Sequence, residues 1–257
     1  LLGDENDSPR GRIYLMKQLL EGAAVGAKTR LHLDRCLTCR ACETTCPSGV
    51  RYGRLADIGR KLIEERVARP ARERFMRRAL AEVLPRRALF TPLLKLGQLA
   101  RPFLPEPLVP MVPPAPPRAG AWPAPRHARK MLVLAGCVQP ALAPDSNAAA
   151  ARVLDRIGIS LIEATGAGCC GALRYHLNYQ DAGLADTPAL IDAWWPHIEA
   201  GSVEAIVMTA SGCGVTVKEY AHLFERDPAY SAKAAKISTM TRDLGEVLEA
   251  EFDRLEP

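Results

Sequence analysis

The twelve residues Cys36-Leu37-Thr38-Cys39-Arg40-Ala41-Cys42-Glu43-Thr44-Thr45-Cys46-Pro47 place four thiols at the spacing C-x2-C-x2-C-x3-C-P. Three cysteines two residues apart wrap a loop around one [4Fe-4S] cube, each sulfur reaching a different iron. The segment must therefore be a tight loop held between flanking elements. Where two such runs share a protein, the fourth cysteine, followed by Pro, leaves for the neighbouring cluster. Cys36, Cys39 and Cys42 are accordingly assigned to one cluster and Cys46 to another. The chain has one run, so its companion is expected upstream of Leu1.

Two other uses of four thiols fit less well. Structural zinc sites separate their ligands into two distant pairs instead of packing four into eleven residues. Disulfide scaffolds are denser in cysteine than 8 in 257 residues. Reduced thiols are the expectation.

At 257 residues and 48 % hydrophobic content the chain can bury two modest cores. Its net charge of +5 is uneven. Residues 60–101 hold twelve Lys or Arg against four Asp or Glu. With few aromatics to stack on bases, that stretch does not point to nucleic acid. A solvated helix face, an acidic partner or an anionic membrane surface is expected instead. No apolar run approaches the eighteen or so residues that cross a bilayer.

Asp7-Ser8-Pro9 starts a helix with Ile13, Met16, Leu19 and Leu20 on one side, ended by Gly22 and Gly26. A short segment through Leu31 and Leu33 leads into the cysteine loop, and a helix with Leu55, Ile58, Leu62 and Val67 follows. Further helices are predicted over 71–84 and 88–100. Ten prolines in the 24 residues from Pro102 to Pro125 exclude helix and sheet interiors and predict an extended, semi-rigid connector. Beyond it, apolar runs at 131–135, 159–162 and 205–209 alternate with helices over about 148–157, 173–185 and 188–200. That alternation predicts a parallel sheet with right-handed crossovers. The expected domains are a helical cluster domain over 1–101, a linker over 102–130 and an α/β domain over 131–257. The fold class is α+β overall.

Each predicted strand runs into cysteine: Gly136-Cys137, Gly168-Cys169-Cys170-Gly171 and Ser211-Gly212-Cys213-Gly214. The carboxyl ends of parallel strands form the crevice where ligands bind, so Cys137, Cys169, Cys170 and Cys213 are expected to meet on one rim. A single cysteine after a strand is usually a small buried hydrophobe; three strands repeating the arrangement favour a site. Flanking glycines allow positive φ and a close backbone approach.

At this point the chain resembles a known family. The Cys137, Cys169-Cys170-Gly171 and A-x-x-C spacing is similar to the CCG cysteine-rich domain of the heterodisulfide reductases and of the iron-sulfur subunits of flavin-linked 2-hydroxy-acid oxidases. With D-S-P-R-G-R, C-L-T-C-R-A-C-E-T-T-C-P-S-G-V-R-Y and C-C-G-A-L-R-Y-H-L-N, the resemblance is nearest to the glycolate oxidase iron-sulfur subunits. It implies a ferredoxin-like [4Fe-4S] lobe followed by an α/β CCG domain. It also implies an electron-transfer subunit of an oxidoreductase that does not itself bind substrate. Electrons would come from flavoprotein partners, which alone carry FAD, and pass to a quinone or membrane acceptor. Related subunits serving lactate or glycerol-3-phosphate dehydrogenase, or a heterodisulfide-reductase-like thiol/disulfide subunit, share these motifs. The implied location is cytoplasmic, with peripheral contact on the inner face of the cell membrane. A second CCG repeat is expected downstream of Pro257. Where the pattern has C-x-x-C this chain has Ala210-Ser211-Gly212-Cys213, one thiolate fewer. The cluster type of this second iron-sulfur centre therefore stays open.

Four further features have two readings each. His176 could contact a cluster sulfur, but a solvent-facing helical position is favoured. Trp194-Trp195 could mark a partner-docking surface, but one buried and one interfacial indole is the simpler reading. Arg35 and Arg40 flank the first cysteines and either stabilise a reduced cluster or decorate the surface. Residues 89–112 lie on a membrane surface or are buried against another lobe.

Overall fold

The alternation Met131, Leu132, Val133, Leu134 sends successive side chains to opposite sides of a strand, and all four are buried. A strand buried on both faces needs helices on both, and the computed structural model, which describes residues 3–255, has that layering. Four parallel strands, β1 (Arg129–Val133), β2 (Ile159–Glu163), β3 (Ile206–Met208) and β4 (Thr241–Asp243), lie in the order β2-β1-β3-β4. In register, Met131 faces Leu161 and Leu132 faces Ile206. One side packs Leu132, Leu134, Ile206 and Met208 against Leu190, Ile191, Trp194 and Tyr220. The other packs Met131, Val133, Ile159 and Val207 against Ala150, Ala151, Leu154 and Val247.

The chain divides into two compact units. The first runs through Leu80 and takes in Arg174–Gln180; the second comprises Ala81–Leu173 and the residues from Asp181 onward. The proline-rich stretch 102–125 lies wholly within the second unit. The outermost positions of the expected domains, 1–2 and 256–257, lie outside the described residues.

In the first unit the helices are α1 (Pro9–Leu20), α2 (Ala27–Asp34), α3 (Ala41–Thr44) and α4 (Tyr52–Arg66), with α5 (Ala71–Val83) following. Ser8 caps α1, its Oγ accepting from the Gly11 amide at 2.9 Å, and Pro9 sits at the first helical position. Met16, Leu19, Leu33, Tyr52, Ala56 and Ile63 form the core. A Cβ on Gly59 would stand 2.7 Å from Met16, so glycine sets the α1–α4 approach. The segment through Leu31 and Leu33, read only as a lead-in, is the helix α2. Its buried face includes Arg30 and His32, which masks the apolar period.

The second unit adds α6 (Arg87–Ala100), α7 (Gln139–Leu142), α8 (Asp145–Arg156) and α11 (Thr187–Glu199), while α9 (Ala172–His176) and α10 (Gln180–Ala185) straddle the division. After β3 come α12 (Ser211–Lys218), α13 (Tyr220–Leu223), α14 (Ser231–Met240) and α15 (Leu244–Ala250). The helix expected over 173–185 is two helices broken near Asn178, whose φ is +69°. The fourth strand, Thr-Arg-Asp, has no apolar run to announce it; only Thr241 is fully buried. The proline stretch is not extended throughout. It contains 3-10 turns at Arg101–Phe103 and Glu106–Met111 and is tied down by Arg101 Nε to Val112 O (3.1 Å) and Trp122 Nε1 to Leu161 O (3.1 Å).

Candidate metal centres: two cysteine sites

The loop between α2 and α4 turns through two left-handed residues, Thr38 (φ +58°) and Arg40 (φ +56°). A β-branched residue there is a genuine outlier that persists only when its surroundings hold it. Arg60 supplies the hold. Its buried guanidinium donates to Thr38 Oγ1 (2.9 Å), to Leu33 O (3.1 and 3.0 Å) and to Cys36 O. Coiled this way, the loop brings Cys36, Cys39 and Cys42 to the wall of one cavity of about 510 Å3. Cys46 lines a different cavity, of about 480 Å3, together with Cys42. The Thr38 amide donates to Cys36 Sγ at 3.4 Å. Burial, followed by the neighbouring Cys36, pushes the Cys42 thiol up.

Around the first cavity stand Arg12, Arg35 and Arg40 with a single carboxylate, Asp7. His32, hydrogen-bonded at 3.0 Å, and then Arg35 at 2.9 Å hold Asp7 below the usual carboxylate range against the opposing effect of burial. The lining is positive on balance, which suits an anionic thiolate cluster. Arg35 is exposed and ion-paired with Asp7, and Arg40 approaches Asp57 at 3.9 Å with little exposure.

In the second unit the four cysteines beyond the strand ends are neighbours in file, Cys137 beside Cys169, Cys169 beside Cys170 and Cys170 beside Cys213. The Cys169 side chain, then burial, raises Cys137 far above a free thiol. Cys137 lowers Cys169, but Cys170 and burial outweigh this and push it up to about 12. Cys170 is raised likewise: Cys169 lowers it, while Cys213 and burial prevail. The Gly171 amide donates to Cys169 Sγ at 3.4 Å, and the buried Tyr220 hydroxyl to Cys170 O at 2.8 Å. Cys213 sits in the first turn of α12, where helix amides favour negative sulfur. Of the flanking glycines only Gly136 (φ +76°) and Gly171 (φ +79°) use positive φ; Gly168, Gly212 and Gly214 do not.

Among the described residues no three Cys, His, Asp or Glu side chains close on a point as ligands of a single ion would. A four-iron cube is larger than an ion and is spanned from its corners. The first cavity, with a thiol-lined wall, an amide on sulfur and three guanidinium groups, fits that larger group. The second set fits in donor chemistry, offering four soft thiols and an amide donor.

Sequence reasoning missed the residues that hold the loops. Arg60 occupies the core face of α4 with Ala56 and Ile63, and a charge in that register was the available signal. Gln139, Asn147 and Thr209 bind one another (Gln139 Nε2 to Thr209 Oγ1, 2.7 Å), and Asn147 Nδ2 donates to Leu134 O at 3.0 Å. They pin both sides of Cys137. His176 is not solvent-facing. It belongs to the first unit and is half-buried; burial, then the charges of Arg60 and Arg40, lower it to about 4. Trp194 is fully buried, while Trp195 is partly exposed with Lys233 5.6 Å from its ring. The basic stretch is partly internal: buried Arg69 pairs with Asp34 (2.6 Å), Glu64 (2.6 Å) and Glu73.

The segment that carries the second cysteine set, residues 131–218, matches the CCG cysteine-rich domain family. Over 98 % of its length the chain is 56 % identical to the glycolate oxidase iron-sulfur subunit of Escherichia coli (strain K12), covering 61 % of that protein. It is 31 % identical to the probable glycolate oxidase iron-sulfur subunit of Bacillus subtilis (strain 168), covering 62 % of it and 98 % of this chain. A more distant relative is lactate utilization protein A of Bacillus velezensis, 26 % identical over 45 % of this chain and 46 % of that protein. No solved structure matches. Residues 131–218 thus match a CCG cysteine-rich domain, and over the stretch it spans the chain is similar to the glycolate oxidase iron-sulfur subunits. That stretch is about three-fifths of their length.

Proposed function

We propose that the chain is the electron-carrying part of a flavin-linked 2-hydroxy-acid oxidoreductase, glycolate oxidase, with iron-sulfur clusters at both cysteine sites. Cys36, Cys39 and Cys42 hold a [4Fe-4S] cluster, Cys46 serves a neighbouring one, and Cys137, Cys169, Cys170 and Cys213 hold a further centre. The observation that carries this reading is the coiled Cys36–Cys42 loop facing one positively lined cavity while Cys46 faces another. When bound, such clusters take up and release electrons one at a time, suiting them to drain a two-electron flavin donor. The chain's own residues supply ligands and set the surroundings. Arg12, Arg35 and Arg40 favour added negative charge, Arg60 fixes the loop, and the Thr38 and Gly171 amides donate to ligand sulfurs.

The flavin lies in partner subunits, and a quinone or membrane acceptor receives the electrons. Support for a peripheral membrane contact comes from α6. Leu89, Leu93, Leu96 and Leu99, with Phe103, are exposed beside Arg86, Arg87 and Lys95. Among the described residues no helix is long and apolar enough to cross a membrane.

The test is anaerobic addition of glycolate, D-lactate or glycerol 3-phosphate to the protein purified with its flavoprotein partners, read by electron paramagnetic resonance. Reduction of the clusters by glycolate supports the reading. Reduction by lactate alone transfers it to the lactate branch of relatives, and reduction by none overturns it.

A further inference from the structure

Tyr52 opens α4 and is 4 % exposed, yet among the described residues its hydroxyl has no hydrogen bond. A buried phenol normally finds an acceptor. The Cys36 side chain packs against the core cluster that holds Tyr52 and lines the same cavity. A neutral thiol is a weak acceptor and a thiolate a strong one, so the hydrogen bond belongs to the ligating form of Cys36. Tyr52 also lines both cysteine cavities, as do Pro9 and Cys42.

We infer that Tyr52 is a positioning residue for the first cluster: its hydroxyl donates to the Cys36 thiolate, and its ring forms the wall between the two cysteine cavities. The inference rests on the iron-sulfur reading above. A donor on a ligand sulfur draws off negative charge and favours the reduced state, so it raises the reduction potential.

Tyr52→Phe deletes the oxygen and keeps the ring. In the protein purified anaerobically with its partners, iron and sulfide content should stay constant. The ratio of reduced to oxidised first cluster at a fixed potential should fall about tenfold, equivalent to about 59 mV for one electron. The centre at Cys137–Cys213 should keep its potential. Replacing Tyr52 with 3-fluorotyrosine strengthens the donor and should move the ratio the other way; this variant decides the matter if Tyr52→Phe fails to hold iron. An unchanged ratio in a fully loaded variant, or shifts of the same sign in both, overturns the inference and leaves the iron-sulfur reading standing. Wild-type protein without iron and sulfide overturns both.

Discussion

Replacing Gly171 with alanine would incur two separable costs. Its φ is +79°, and a left-handed alanine costs about 1–2 kcal/mol. The new Cβ would also lie 2.3 Å from the Gly183 carbonyl oxygen and 2.9 Å from Thr187 Oγ1. The first contact is with backbone and cannot be relieved by a rotamer change, so overpacking adds about 1–3 kcal/mol. Gly158 provides the control: its φ is +83° with nothing within 4 Å of a built Cβ, so Gly158→Ala carries the conformational cost alone. Both residues lie in the second unit, where Trp194 shares a core with Cys170 and Ala172. Urea unfolding followed by tryptophan fluorescence should place Gly158→Ala about 1 kcal/mol below wild type and Gly171→Ala about 3 kcal/mol below, with unchanged m. Equal losses would refute the claim that close backbone approach, beyond positive φ, demands the glycine after the paired cysteines.

Arg60→Met leaves the carbonyls of Leu33 and Cys36 and the Thr38 hydroxyl without their donor, at about 1–3 kcal/mol each. Hydrogen-exchange protection across α4 should fall by about a hundredfold, taking about 1.4 kcal/mol per decade; unaltered protection would show that Arg60 does not hold the loop. Ala210→Cys restores C-x-x-C at the N-cap of α12, three residues before Cys213. It should change the resonance spectrum of the Cys137–Cys213 centre and leave the first cluster's unchanged, whereas identical spectra would place residue 210 outside that centre's reach.

Much of this was legible because the signals are local. The proline and serine at 8–9, the apolar periods of α1 and α4 and the three runs Met131, Ile159 and Ile206 depend on neighbours in sequence. The expectation that Cys137, Cys169, Cys170 and Cys213 share one rim rested on parallel topology, and the structure has the parallel sheet. The supports did not: Arg30, Arg60 and Asn147 are polar residues buried by long-range hydrogen bonds, and sequence gives their partners no marker. β4 escaped because a three-residue edge strand pairing through Ile206 and Met208 needs only one buried side chain. The basic stretch misled in part because net charge cannot distinguish Arg69, locked among three carboxylates, from exposed Arg72, Arg74 and Arg78.

Anaerobic iron and acid-labile sulfide analysis, with Mössbauer spectra of wild type and of Cys39→Ser, tests the central claim most directly. Iron and sulfide should be present together, and Cys39→Ser should remove or convert the [4Fe-4S] component while leaving the centre at Cys137–Cys213. Zinc without sulfide, or a spectrum indifferent to Cys39→Ser, would contradict the account.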